Sequence, residues 1–463
     1  MRAQRGAAGG DGPAGVPGRP ARRVDVLVVG AGPAGLTAAA RLAAAGAGRV
    51  EVLEREPDAG GVPRHCAHGG FGTLTQPMTG PGYARRLAAA AERAGAVIRT
   101  GVTVLDWGVA PGAAVAGVPR ADPAGAGQAM PAFVAGGGMG QGAVCAGPVL
   151  HAVGPGGPET VEARAVVLAT GARERPRTAR LVPGTRPAGV YTTGELQQAV
   201  HLFGQYVGTR AVVVGAEPVS CAAAETVRAA GAGVVALVTE QPRAQVPFQQ
   251  AQSARLWHRT PLLTDTTVAE LLGHGRLSGV RVRHRDGRTA VLSCDTVVFT
   301  GDFIPDHELA RRGALALDPG TRGPAVDGSL HTSRPGVFAA GNVLHAVEPA
   351  GAAAREGARA ARAVLGFLAG AAWPGPGIPL TVEAPLRWIA PNRIAPADRP
   401  ERYVLRTAAP LGRPVLHVRQ DGRLLHRERP APGTALLHRA LTLTARWHDR
   451  VDPGGGEVRV SVR

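Results

Sequence analysis

The sequence contains no lysine: all 52 of its basic residues are arginine. That absence excludes a Schiff base on a side-chain amine and a lysine general base. Cysteine is almost as scarce. Cys66, Cys145, Cys221 and Cys294 stand more than seventy residues apart from one another. With no C-x-x-C pair, a local dithiol relay and the usual local spacings of zinc or iron–sulfur ligands are excluded, and no metal site is expected. Aromatic residues make up 4%, so Ala, Val and Leu must build the core. No stretch is long and apolar enough to span a membrane. Arg22-Arg23 before an apolar run imitates an export signal, but the run leads straight into a glycine motif and reads better as a strand. Low cysteine usage fits a reducing compartment, and the expected location is cytoplasmic.

The 463 residues are 44% hydrophobic and 19% charged, a globular balance with room for two or three domains. A formal charge of +17 invites a nucleic-acid reading. The arginines are scattered, however, and no aromatic-plus-basic stripe accompanies them, so no nucleic-acid partner is expected. A basic field of this kind suits an acidic electron-transfer protein better.

Residues 1–21 are Gly, Pro, Ala and Arg without periodicity, which predicts a disordered tail. From Val24 a β-branched run to Val29 reads as a buried parallel strand. Gly30-Ala31-Gly32-Pro33-Ala34-Gly35 follows, then an Ala/Leu-rich helix over Leu36–Ala45 and a second strand over Val50–Glu54. This is G-x-G-x-x-G between a strand and a helix. The first glycine allows the tight turn, the second admits a pyrophosphate to the backbone, and the third lets helix and strand pack closely. Glu54 ends the next strand about 20 residues on, where an acid holds a ribose diol. The motif with this context predicts a dinucleotide site.

Three further segments carry a family resemblance. Ala169-Thr170-Gly171, after a strand over Val161–Leu168, resembles the ATG element of flavoproteins with two dinucleotide-binding domains. In that family it closes the FAD domain near the flavin. Gly336-Val337-Phe338-Ala339-Ala340-Gly341-Asn342 resembles the family's late flavin motif, whose usual Gly-Asp ending bonds the ribityl chain; here the acid is replaced by Asn342. Ala350–Leu368 reads as a helix whose N-terminus faces the flavin pyrimidine edge, where its dipole stabilises a reduced flavin. The run Ala169–Pro176, with Pro183-Gly184, Arg186-Pro187 and Gly189–Gly194, is similar to the flavin-binding subunits of heteromeric sarcosine, opine and proline dehydrogenases and of hydrogen cyanide synthase. Those subunits resemble disulfide reductases in fold but serve C–N bond oxidation with partner subunits. The family often carries iron–sulfur cysteines, which this chain lacks at suitable spacing.

The resemblance implies an α/β fold with two Rossmann-like domains, the FAD domain interrupted by the second, and a small C-terminal β-rich module. The expected borders are 22–189 and 301–372 for the two parts of the FAD domain, with a low-complexity insertion at 110–147. The second NAD(P)-binding-like domain takes 190–300, and the β-rich module 373–463 contains the alternating run Pro414–Val418. Gly30, Gly32, Pro33, Ala34, Gly35, Glu54, Arg55, Arg64, Ala169, Thr170, Gly171, Gly341 and Asn342 are the expected FAD contacts. In Gly60–Cys66, which follows the second strand, His65 is the single candidate acid/base for chemistry near neutral pH. It is also consistent with a loop-shaping role. Cys66, without a partner cysteine, reads as structural.

The second strand–turn–helix unit, Arg210–Gly215 and Cys221–Ala232 before Val234–Val238, keeps only the first glycine. Gly215 survives, but Glu217 replaces the glycine that admits a pyrophosphate. The domain fold is expected to persist with NAD(P) binding weakened or lost, unless an arginine such as Arg243 neutralises the carboxylate. The leading functional expectation is FAD-dependent oxidation of an amine, amino acid or similar small metabolite, with electrons passed to another acceptor, either directly or through a partner subunit. An NAD(P)H-dependent flavin or ferredoxin-type reductase, and a non-catalytic flavin-holding subunit, are the alternatives.

Overall fold

In the computed structural model, residues 21–73, 75–108, 147–246, 260–395, 402–430 and 439–463 are described. The expected tail at 1–21 and insertion at 110–147 lie outside them, apart from Ala21 and Gly147.

The Val-rich run forms the strand Arg22–Val29, whose last four residues are all buried. It pairs in parallel with Val50–Leu53 on one side and with Gly157–Leu168 on the other, Val26 lying opposite Val50 and Ala165. The twelve-residue strand Gly157–Leu168 divides its edge. Its first half takes the antiparallel hairpin partner Val149–Gly154, and its second half takes the late strand Val337–Ala339, with Phe338 opposite Val167. Residues 171 positions apart thus complete one seven-stranded sheet.

The first helix is Pro33–Ala44, three residues earlier than the Leu36 start expected from the apolar pattern. Pro33 suits the first helical position because its missing N–H has no helical partner to lose there. The late helix occupies Ala350–Leu368, as the sequence indicates. It packs on the first helix so closely that a Cβ at Gly357 would stand 2.0 Å from the Ala34 carbonyl oxygen.

A second, five-stranded parallel sheet is built from Val190–Thr192, Thr296–Phe299, Arg210–Val214, Gly233–Val238 and Leu262–Leu263. The helix Pro218–Ala229 follows its central strand. This is an α/β arrangement with two Rossmann-like sheets. Beyond the late helix the chain is β-rich. Ile378–Val382, Leu416–Gln420 and Val458–Val462 belong to one sheet, and Leu386–Ala390, Arg402–Thr407 and Leu441–Thr444 form another. They enclose a separate core containing the fully buried Tyr403 and Trp447.

Candidate functional site

The first turn is shaped by contact. Gly30 adopts φ +104°, and a Cβ there would lie 2.4 Å from the Ala169 carbonyl oxygen. A Cβ at Gly35 would lie 1.9 Å from the Gly30 oxygen, so that glycine serves the helix–strand contact. Gly32 differs from both. Its φ of −79° is open to any residue, and a Cβ there would meet nothing within 4 Å. That added carbon would project into a cavity of about 1310 Å³, on the N-terminal side of the first helix. A cradle that only a side chain at Gly32 would fill, at a helix N-terminus, fits a pyrophosphate.

The same cavity is lined by Gly30, Pro33, Ala34, Glu54, Arg55, Arg64, His65, Ala169, Thr170, Gly171 and Asn342. Gly35 and Gly341 sit behind its wall. Glu54 is buried, and it accepts hydrogen bonds from the Ala31 N–H (2.7 Å) and the Glu56 N–H (3.0 Å). Thr170 donates its hydroxyl to the Asp306 carbonyl (2.7 Å), and Gly171 accepts from the Asp306 N–H (2.9 Å). Asp306 also meets Arg55 (3.4 Å) and Arg173 (3.2 Å). Burial, with Glu308 adding to it, pushes the Asp306 carboxyl up to about 6. The sequence reading missed this residue, which stands far from every motif.

Two expectations change. His65 is buried, and burial, helped by the Arg64 and His201 charges, pulls its imidazole down to about 4. It is therefore neutral at ordinary pH and ill-matched to the acid/base role considered for it. Asn342 lines the cavity, yet both ends of its amide are engaged elsewhere. Oδ1 accepts from the Glu348 N–H and Nδ2 donates to the Glu348 carbonyl, each at 3.0 Å. A carboxylate could not make the second bond, which accounts for the amide where the resembled family places an acid. The field of the Arg180 guanidinium reaches Glu217.

Glu217 itself turns inward. It is buried at the start of the Pro218–Ala229 helix, accepting from the Ala216 N–H (2.8 Å) and from the Thr300 hydroxyl. Its own N–H donates to Ser220 Oγ at 3.3 Å. The carboxylate thus occupies the anion position that the helix N-terminus would offer a phosphate. Gly215, held at φ +143°, could carry no side chain: a Cβ would come within 2.8 Å of Thr300, Ser220 and Glu217 atoms.

Cys66 is a buried thiol donating to Gln197 Oε1 (3.3 Å), and burial pushes it up to about 12, with Glu174 adding to the shift. It is no thiolate nucleophile. Glu174 is likewise driven up to about 7 by burial, while accepting from the Gly194 N–H at 2.8 Å.

The opposite wall comes from the β-rich C-terminal segment, through Arg387, Trp388, Arg406, Thr407 and Arg439. No sequence signal ties these residues to the first turn.

The family model described as pyridine nucleotide-disulphide oxidoreductase matches residues 24–357. The chain belongs to that family. FAD is the cofactor that membership of this family gives it. It is 33% identical to an opine oxidase subunit of Agrobacterium tumefaciens (strain Ach5), over 56% of this chain and 44% of that one. It is 28% identical to the corresponding opine oxidase subunit of Rhizobium meliloti, over 69% of this chain and 58% of that one. The chain therefore spans about half the length of these relatives. Thioredoxin reductase of T. acidophilum shares the fold, with a TM-score of 0.58 at 23% identity over 75% of this chain and 99% of that one. No helix among the described residues is long and apolar enough to cross a membrane.

Proposed function

We propose that the chain uses FAD to oxidise an amine, amino acid or similar small metabolite, and passes the electrons to an acceptor other than NAD(P). The observation that carries this reading is the inward Glu217, which fills the second nucleotide turn with a carboxylate of the chain's own. Opine oxidase subunits among the relatives support the substrate class and a partner subunit. Bound FAD would supply a two-electron acceptor for the hydride leaving the carbon that bears nitrogen.

In this reading the chain's residues divide the task. The Gly30 N–H is held by the Leu53 carbonyl (2.8 Å), so Gly30 serves the tight turn, Gly32 would bring its backbone amide to the pyrophosphate, Pro33 and Ala34 open the helix behind it, and Gly35 fixes that helix on its strand. Glu54 takes the ribose hydroxyls, with Arg55 and Arg64 around the adenosine side. Ala169, Thr170 and Gly171 would hold the flavin side of the cofactor, and Asn342 holds the Gly341–Glu348 loop in place. The acceptor is a partner subunit or an acidic electron-transfer protein drawn to the basic surface.

Anaerobic addition of secondary amines and N-alkyl amino acids to the FAD-loaded protein tests the proposal. At least one should bleach the flavin. Failure of a broad amine panel, together with rapid reduction by NADH or NADPH, would replace it with the reductase reading. That reading draws its own support from the intact second parallel sheet. A flavin reduced by neither would favour the non-catalytic role.

A further inference from the structure

Arg406 lies on the strand Arg402–Thr407, directly across from Trp388 on Leu386–Ala390. Cross-strand partners project from the same face of a sheet, and this face meets the loop that follows Asn342. The Arg406 side chain is only 5% exposed. Its Nη2 is engaged by the Glu348 carboxylate and the Val347 carbonyl, while Nε and Nη1 have no hydrogen-bond partner among the described residues. Three of its five N–H donors are thus buried and unused.

Beside it, His345 lies face to face with Trp388, ring centroids 5.7 Å apart. Its Nε2 pairs with Glu356 Oε1 at 2.9 Å, and Nδ1 lacks a hydrogen-bond partner among the described residues. Burial opposes a proton on this ring, but the Glu356 carboxylate carries the imidazole above its ordinary value, which favours the doubly protonated ring in which Nδ1 donates. His345, Trp388 and Arg406 all line the main cavity, and Arg387 adds positive charge to the same wall.

Buried donors without acceptors are costly. The unused Arg406 donors, with the His345 ring beside them, ask for a ligand rich in acceptors. Glu348 already balances one positive charge, and its carboxylate would repel a dianion more than a monoanion.

We infer that the C-terminal β-rich segment supplies a carboxylate-binding subsite, with Arg406 as the anchoring residue, His345 Nδ1 as a second donor and Trp388 as the apolar side wall. The inference rests on the proposed amine oxidation only for the identity of the ligand, which becomes a carboxylate-bearing amine rather than a simple one.

Benzoate and its neutral isostere benzamide are suitable probes, titrated into FAD-loaded protein by calorimetry and flavin absorbance. Benzoate should bind at least about tenfold more tightly, and Arg406→Met should weaken benzoate by about tenfold or more while leaving benzamide and FAD affinity within about twofold. Should that variant misfold because Glu348 is left buried and alone, Arg406→Met with Glu348→Gln removes both charges and should show the same pattern. Equal binding of the two probes, or loss of FAD affinity in place of benzoate affinity, overturns the subsite. Benzoate binding without flavin reduction by any amine would keep the subsite and remove the proposed function. Reduction by a plain amine as fast as by its amino-acid counterpart, without benzoate binding, would do the reverse.

Discussion

Replacing Glu217 with glycine should raise the protein's affinity for nicotinamide nucleotides. In the native turn the Glu217 carboxylate takes the Ala216 N–H at 2.8 Å and the Thr300 hydroxyl. A phosphate entering here must displace or share those bonds, each charge-assisted and worth about 1.5 kcal/mol at the low end. It must also approach a like charge, at about 1 kcal/mol in solvent-like dielectric. Together these oppose binding by about 4 kcal/mol, close to a thousandfold in dissociation constant.

The substitution should not unfold the turn. Freed from Glu217, the single Thr300 hydroxyl proton can go to the Val214 carbonyl (2.9 Å), with Ser220 Oγ donating to the Thr300 oxygen (2.7 Å). Calorimetric titration of NADH and NADPH into both proteins is the assay. Glu217→Gly should bind at least about a hundredfold more tightly than native protein, allowing for some adjustment of the freed turn. Micromolar nucleotide binding by the native chain, or no change in the variant, would refute the reasoning.

Other consequences are equally direct. Gly32→Val should yield folded protein without FAD, since φ is −79° and the added carbons meet no protein atom; full flavin occupancy measured by absorbance would contradict the pyrophosphate cradle. Asn342→Leu should weaken FAD by about 1–3 kcal/mol through the freed Glu348 backbone, and Asn342→Asp should also weaken it, because a carboxylate oxygen would face the Glu348 carbonyl; equilibrium dialysis of flavin distinguishes these from wild type. Glu174 has its folded pKa raised from 4.5 to about 7, so the native state holds the extra proton and stability falls as pH rises across that window. Glu174→Gln should therefore stabilise the protein by about 3 kcal/mol at pH 8 and by little at pH 4, read from denaturant midpoints.

The parts of this site that the sequence made legible are those written locally. Val24–Leu36 carries strand, turn and helix within one short segment, and Ala350–Leu368 carries an uninterrupted helical pattern bounded by Pro349. The start at Pro33 escapes the pattern because Ala34 and Gly35, though buried, carry too little side chain to mark an apolar face. What the sequence hid is set by register between distant strands. Trp388 and Arg406 come together only because Leu386–Ala390 pairs with Arg402–Thr407, and nothing in either segment points to Asn342. The inward turn of Glu217 was hidden for a similar reason. Substitution at the glycine position announced a defect, but the direction of the carboxylate depends on Thr300, more than eighty residues away. His65 shows the opposite error: its residue type suggested titration near neutral pH, and burial removed it.

The central claim is that electrons enter the flavin from an amine substrate and not from a pyridine nucleotide. Its most direct test is the flavin absorbance of one FAD-loaded, oxygen-free sample, divided and mixed with N-alkyl amino acids or with NADH. The account predicts bleaching in at least one amino-acid portion and a flavin that stays oxidised with NADH; bleaching by micromolar NADH within a second, with every amino-acid portion unchanged, would contradict it.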